Sequence, residues 1–134
     1  MDEIQAAVLR EKLQSLDDET AHRRKIARIY GESITLPGLK LPEQIASHAW
    51  HLYVVQCRDR DRLRADLDSA GIETMIHYPV PPHLQEVYAD SDLANTGLAV
   101  TEQLSNEVMS LPIGSHLDDG DVHRVCRVLN SLAT

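Results

Sequence analysis

Phenylalanine is missing from this chain, and aromatic residues of any kind make up only 4% of it. Basic residues are also in deficit, with 13 against 21 acids, for a formal net charge of −8. An acidic surface with few stacking rings is a poor partner for nucleic acid, which is bound through basic stripes and aromatic platforms. The bases gather in RRKIAR (23–28) and RDRDRLR (58–64). The second run alternates with Asp59 and Asp61, which marks a solvated helix start and not a phosphate-binding stripe. No apolar run approaches the length of a membrane span. The opening MDEIQAAVLREKL has acids where a secretory signal carries positive charge, and lacks an apolar centre, so a cytoplasmic location is expected.

Other absences narrow the chemistry. There are two cysteines, Cys57 and Cys126, with no CxxC, which reads as reduced core thiols and not as a disulfide framework. The six glycines are scattered singly, so no loop is built to cradle a phosphate. Neither a GxSxG turn nor a Cys-His signature for a nucleophile occurs. Seven histidines invite a metal reading, yet His48 and His51 lie three apart on an expected strand and so face opposite sides. His77 and His83 are separated by prolines, and His123 has no partner at helical spacing. No metal site is expected. The acidic pairs Asp17-Asp18 and Asp118-Asp119 read as helix caps and surface carboxylates.

What is present suits one domain: 134 residues, 43% of them hydrophobic, with Leu, Val, Ile and Ala to fill a core. Ile4, Val8, Leu9, Leu13 and Leu16, continued by Ile26 and Ile29, predict a long helix from about Glu3 to Tyr30, capped by Asp2 and ended by Gly31. LPGLKLPEQ (36–44) is a connector. HAWHLYVVQC (48–57) is expected to be the central strand of the sheet. A helix from Asp59 to Ala70, with Leu63 and Leu67 on one face, closes at Gly71. IETMIHY (72–78) reads as a second strand and MSLPI (109–113) as a third. Leu84 to Ala89 suggests a helical turn, DSDLANTG an irregular loop, and Val100 to Val108 a helix. A last helix follows Gly120, with Val122, Val125, Cys126 and Leu129 inward. The implied architecture is a small α+β layer pair without internal repeats.

One stretch stands out. IHYPVPPHLQ (76–85) sets a His-Tyr pair against three prolines and then adds His-Leu-Gln. Proline fixes φ and disfavours helix in the residue before it, so Tyr78 to Pro82 must be extended and stiff. Such a loop can hold polar groups still for a ligand, or it can simply redirect the chain with its histidines in water.

Together with MDEIQAAVLREKLQSLDD, HAWHLYVVQ, GIETMIHYPVPPHLQEVY and VTEQLSNEVMSLPIGSHLDDGDVHRV, this stretch resembles the C-terminal small domain of the DegT/StrS family. Members are pyridoxal-phosphate-dependent aminotransferases of nucleotide-linked keto sugars. The matches keep the family's order and cover nearly the whole chain. The resemblance implies an α+β small domain of the aminotransferase type: a long N-terminal helix and a mainly antiparallel sheet of about three strands covered by helices. It implies that residues 1–134 form a single domain, with the large cofactor-binding domain absent. The proline segment would close one wall of the active site, with His77 and Tyr78 facing the sugar and His83 and Gln85 holding the loop.

The departures are as informative. The family's Schiff-base lysine lies in the large domain, and Lys12, Lys25 and Lys40 have no comparable context. The family's Asn-x-Arg falls just before the position of Met1. This chain therefore offers no catalytic residue and no cofactor-binding residue of its own, and pyridoxal phosphate is expected only in the complete enzyme. The first helix would link two domains near a dimer interface, so its partner is the missing domain or a second copy. The rival reading is a free-standing sugar-nucleotide-binding or dimerisation module without catalysis.

Overall fold

The computed structural model describes residues 2–133. Asp2 opens helix α1 (Glu3–Lys12) by accepting the Ile4 N–H at 2.9 Å. Glu3 in the first turn and Arg10 and Lys12 in the last complement the helix dipole. After a 3-10 turn at Leu13–Ser15, the chain runs on as α2 (Leu16–Ser33). The Ser15 hydroxyl reaches the Lys12 carbonyl at that turn, a side chain competing with the backbone ladder.

The expected long helix is thus present with a tightened joint, and it does not end at Gly31. It stops where Ile34 becomes extended, three residues later. Gly31 answers a different need. A Cβ there would lie 2.8 Å from the Gln44 amide nitrogen, which donates to the Ala27 carbonyl at 3.1 Å. The glycine permits close approach of the 42–50 segment to α2.

Strand β1 (Tyr53–Gln56) pairs antiparallel with β2 (Val108–Leu111), with Tyr53 opposite Leu111 and Gln56 opposite Val108. Lys40 adds a single bridge to Gln56, and Met75 another to Ser110. The sheet therefore has two strands where about three were expected. The 48–57 stretch is strand only over Tyr53–Gln56, because the chain leaves extended geometry at Trp50 and bends at His51. Trp50 takes φ +51° there, its N–H held by His48 Nδ1 at 2.9 Å and its ring 4.3 Å from the imidazole. His48 and His51 consequently lie off the strand, so strand alternation is not what keeps them apart. The 72–78 stretch shrinks to the Met75 bridge, because the chain turns off into prolines that have no N–H for a ladder.

Helix α3 (Arg60–Ser69) buries Leu63 and Leu67 and closes through Gly71 at φ +71°, as expected. Helix α4 (Ala99–Glu107) leads directly into β2. Helix α5 (Asp119–Ser131) is capped by Asp118, which accepts the Asp121 N–H at 2.9 Å, and buries Val122, Val125, Cys126 and Leu129. These residues meet Ile26, Ala27 and Tyr30 of α2 and Tyr53 and Val55 of β1 in one core. Tyr30 Oη donates to the Pro112 carbonyl at 2.7 Å, tying α2 to the segment after β2, and Asn130 of α5 bonds both Ser33 and Thr35 at the end of α2. Both cysteines are free thiols. Burial pushes the Cys126 thiol up.

α1 is the exception to this packing. It contributes no buried residue, and Ile4, Val8, Leu9, Leu13 and Leu16 are 48–76% exposed.

Candidate functional site

The proline loop leaves the sheet at Met75 and passes through Pro79, Pro81 and Pro82 into short 3-10 turns at Pro82–Leu84 and Glu86–Tyr88. The His77–Tyr78 peptide is cis. Two imidazoles tie the loop to different elements. His77 Nδ1 lies 3.0 Å from the Ser110 hydroxyl on β2. His83, its side chain only 4% exposed, places Nε2 3.1 Å from Glu102 Oε1 on α4. That same carboxylate oxygen accepts the Leu98 N–H at 3.0 Å, so one group caps the start of α4 and anchors the loop. Glu102 is only partly buried, so the contact retains its strength as a charge-assisted hydrogen bond more than as an ion pair.

Tyr78 stands out from this anchored backbone, 74% exposed, with its ring edge-on to His77 at 5.9 Å. Gln85 contributes through its backbone: its N–H bonds the Pro82 carbonyl and its own carbonyl accepts from Tyr88. Its side chain is exposed. Of the four residues singled out in the sequence, His77 and Tyr78 are adjacent on the surface, while His83 faces inward. Val80, Leu84 and Val87 are exposed beside them. The result is an open wall bearing an imidazole, a phenol and apolar groups.

Ser110 and Glu102 were not singled out in the sequence, although each left a trace. Ser110 is the one polar side chain inside MSLPI, where a buried strand has no need of a hydroxyl. Glu102 stands four residues after Leu98, at the spacing of a side chain reaching back to a helix start.

The two larger clefts among the described residues open elsewhere, and neither includes a residue of the loop. One of about 660 Å³ lies between α2 and the 44–50 segment, over Gln44 and Trp50. Another, of about 480 Å³, is lined by Asp61, Asp68 and Glu73. No cluster of His, Cys, Asp or Glu converges in a way that could hold a metal ion among the described residues. Among the described residues, no helix is long and apolar enough to cross a membrane.

The three lysines of the chain are ion-paired or exposed at the surface. Lys25 is held by Asp119 at 2.6 Å, Lys12 projects from α1, and Lys40 is exposed at the sheet edge. The buried phenol of Tyr53 is pushed up to about 12 by desolvation, so it is no proton carrier near neutrality.

An α+β domain with a long leading helix and a stiff polar wall is the form of an aminotransferase small domain. The chain belongs to the DegT/DnrJ/EryC1/StrS aminotransferase family, whose model matches residues 1–130. It is 49% identical over 120 residues to the erythromycin biosynthesis sensory transduction protein EryC1 of Saccharopolyspora erythraea, covering 87% of this chain and 33% of that protein. It is 40% identical over 132 residues to the dTDP-3-amino-3,6-dideoxy-α-D-galactopyranose transaminase of Aneurinibacillus thermoaerophilus, covering 97% of this chain and 36% of the other. The crystal structure of S. venezuelae DesV in complex with a ketimine intermediate superposes with a TM-score of 0.92 at 40% identity, over 99% of this chain and 37% of that one. The chain spans about a third of the length of the curated relatives it matches.

Proposed function

We propose that this chain is the C-terminal part of a pyridoxal-phosphate-dependent aminotransferase that aminates a nucleotide-linked keto sugar in deoxyamino-sugar, polysaccharide or antibiotic-sugar biosynthesis, in the cytoplasm, and that it does not turn over alone. The observation that carries this reading is the end-to-end match to about a third of a dTDP-sugar transaminase. Transamination needs an electron sink and a lysine to move the proton, and these come from outside this chain. The chain's contribution is the wall. His77 and Tyr78 offer hydrogen bonds to sugar hydroxyls or phosphate, while His83 and the turn at Gln85 keep the loop in place. Holding these groups still before the ligand arrives lowers the ordering cost of binding.

The second reading is a dimerisation or sugar-nucleotide-binding module without catalysis. The uncovered stripe of α1 favours it, since a second copy can cover that stripe as well as a further domain can.

The test is a chimera in which this chain replaces the corresponding C-terminal third of the Aneurinibacillus transaminase. The expected result is amination of that enzyme's dTDP-linked keto sugar. A chimera that folds and binds pyridoxal phosphate yet aminates no nucleotide-linked keto sugar overturns the proposal and leaves the module reading.

A further inference from the structure

We infer that Ser110 fixes the tautomer of His77, so that the proton of the neutral ring sits on Nε2 and His77 meets its ligand as a hydrogen-bond donor. The ligand in question is the nucleotide sugar proposed above, and that part of the inference rests on the same reading.

The backbone of Ser110 is fully engaged by the bridge to Met75: its N–H donates to the Met75 carbonyl at 2.7 Å, and its carbonyl accepts at 3.3 Å. Only the hydroxyl remains. The residue is 5% exposed, and among the described residues the hydroxyl's one partner is His77 Nδ1 at 3.0 Å. Two arrangements satisfy that distance. If Nδ1–H donates to the oxygen, the serine proton is left buried with no acceptor. If the hydroxyl donates to a bare Nδ1, every buried proton has an acceptor and only a lone pair goes unused. Buried donors without partners are much rarer than under-used acceptors, so the second arrangement wins. The neutral ring then carries its proton on Nε2, which has no protein partner among the described residues, and the half-buried His77 stands beside the exposed Tyr78.

His83 gives the contrast. Its Nε2 meets a carboxylate, which can only accept, so it too is protonated on Nε2, but that proton is already used on Glu102. One imidazole of the loop is therefore free to donate and the other is not. A neutral N–H donor selects oxygen acceptors, either of the sugar or of the diphosphate, and Ser110 is a positioning residue for that donor.

Long-range proton–nitrogen spectra of the histidine rings in the ¹⁵N-labelled chain, at a pH where His77 is neutral, test this directly. Wild type is expected to show His77 protonated on Nε2. Ser110→Ala removes the bias of one hydrogen bond, and the tautomer ratio should move by roughly fivefold toward a mixture. Ser110→Thr, which keeps the hydroxyl, should restore the single form, and backbone amide spectra check that each variant remains folded. His77 protonated on Nδ1 in the wild type, or a ratio that Ser110→Ala leaves unchanged, overturns the inference. In the chimera, a shift of the His77 Nε2–H signal with thymidine diphosphate alone assigns the acceptor to phosphate, and a shift only with dTDP-glucose assigns it to the sugar. If neither moves the signal while the tautomer results hold, the ligand-facing role of His77 falls and the action of Ser110 on the ring stands.

Discussion

His77 and Tyr78 are neighbours in sequence with opposite surroundings. His77 is tied to β2 through Ser110, and Tyr78 reaches into solvent. In a catalytically complete chimera, His77→Ala and Tyr78→Phe should each weaken use of the keto sugar. One hydrogen bond to a neutral group is worth on the order of 1 kcal/mol, or about fivefold in kcat/KM. Steady-state kinetics unchanged in both variants would return the loop to the role of an inert corner. The lysines carry a second expectation at this scale. Lys25 already faces Asp119, and Lys12 and Lys40 are exposed at the surface. Borohydride reduction of the chain with pyridoxal phosphate, followed by mass spectrometry, should find no stoichiometric adduct at a single lysine. Such an adduct, accompanied by turnover of a keto sugar, would sink the view that catalysis needs a further domain.

Among the elements, the joint between α2 and α5 has a pH signature. The Lys25 ammonium hydrogen-bonds Asp119 and holds its carboxyl below its ordinary value of 3.8. Glu107, bonded by Gln56 and Gln103, is lowered in the same way. A carboxyl with a depressed folded-state value adds stability above its unfolded pKa, and that addition is lost as pH falls through the folded one. Asp119 is exposed and Glu107 only half-covered, so solvent screens both and the effect is modest. Urea unfolding of wild type and Asp119→Asn should therefore differ slightly at neutral pH, with wild type the more stable. The gap should close as pH drops below about 4. A gap that stays constant into acid would mean the ion pair contributes nothing and the substitution acts by another route.

At the scale of the whole molecule, the unburied residues matter most. α1 stands clear of a core formed by α2, α3, α5 and the sheet, and its Ile4, Val8 and Leu9, with Leu13 and Leu16 just past its end, leave exposed apolar surface of a kind that soluble monomers generally avoid. The charge of −8 opposes aggregation over the whole surface, but it does not cover a local patch. The chain alone should therefore pair, most simply through a symmetric contact of first helices. Light scattering after size exclusion should give a dimer or larger species, and Leu9→Glu with Leu13→Glu should shift it to monomer. A monodisperse wild-type monomer at high micromolar concentration that binds no hydrophobic dye would show that the stripe needs no partner.

The amino-acid order by itself determined whatever depends on near neighbours. The Asp2 and Asp118 caps, the Leu63–Leu67 face, the Gly71 terminus and the Val122–Leu129 stripe follow from periodicity and capping over a few residues, and all are present. The motifs around IHYPVPPHLQ carried the family for the same reason: they are contiguous. Tertiary structure decided what depends on distant partners. Gly31 reads as a stop signal until Gln44 is seen against it, and residues 72–78 read as a strand until only Met75 finds a ladder partner. His77 meets Ser110 across 33 residues, and His83 meets Glu102 across 19. Local rules limit which conformations a segment can adopt, but a hydrogen bond between remote side chains exists only once the core has packed and brought their elements together.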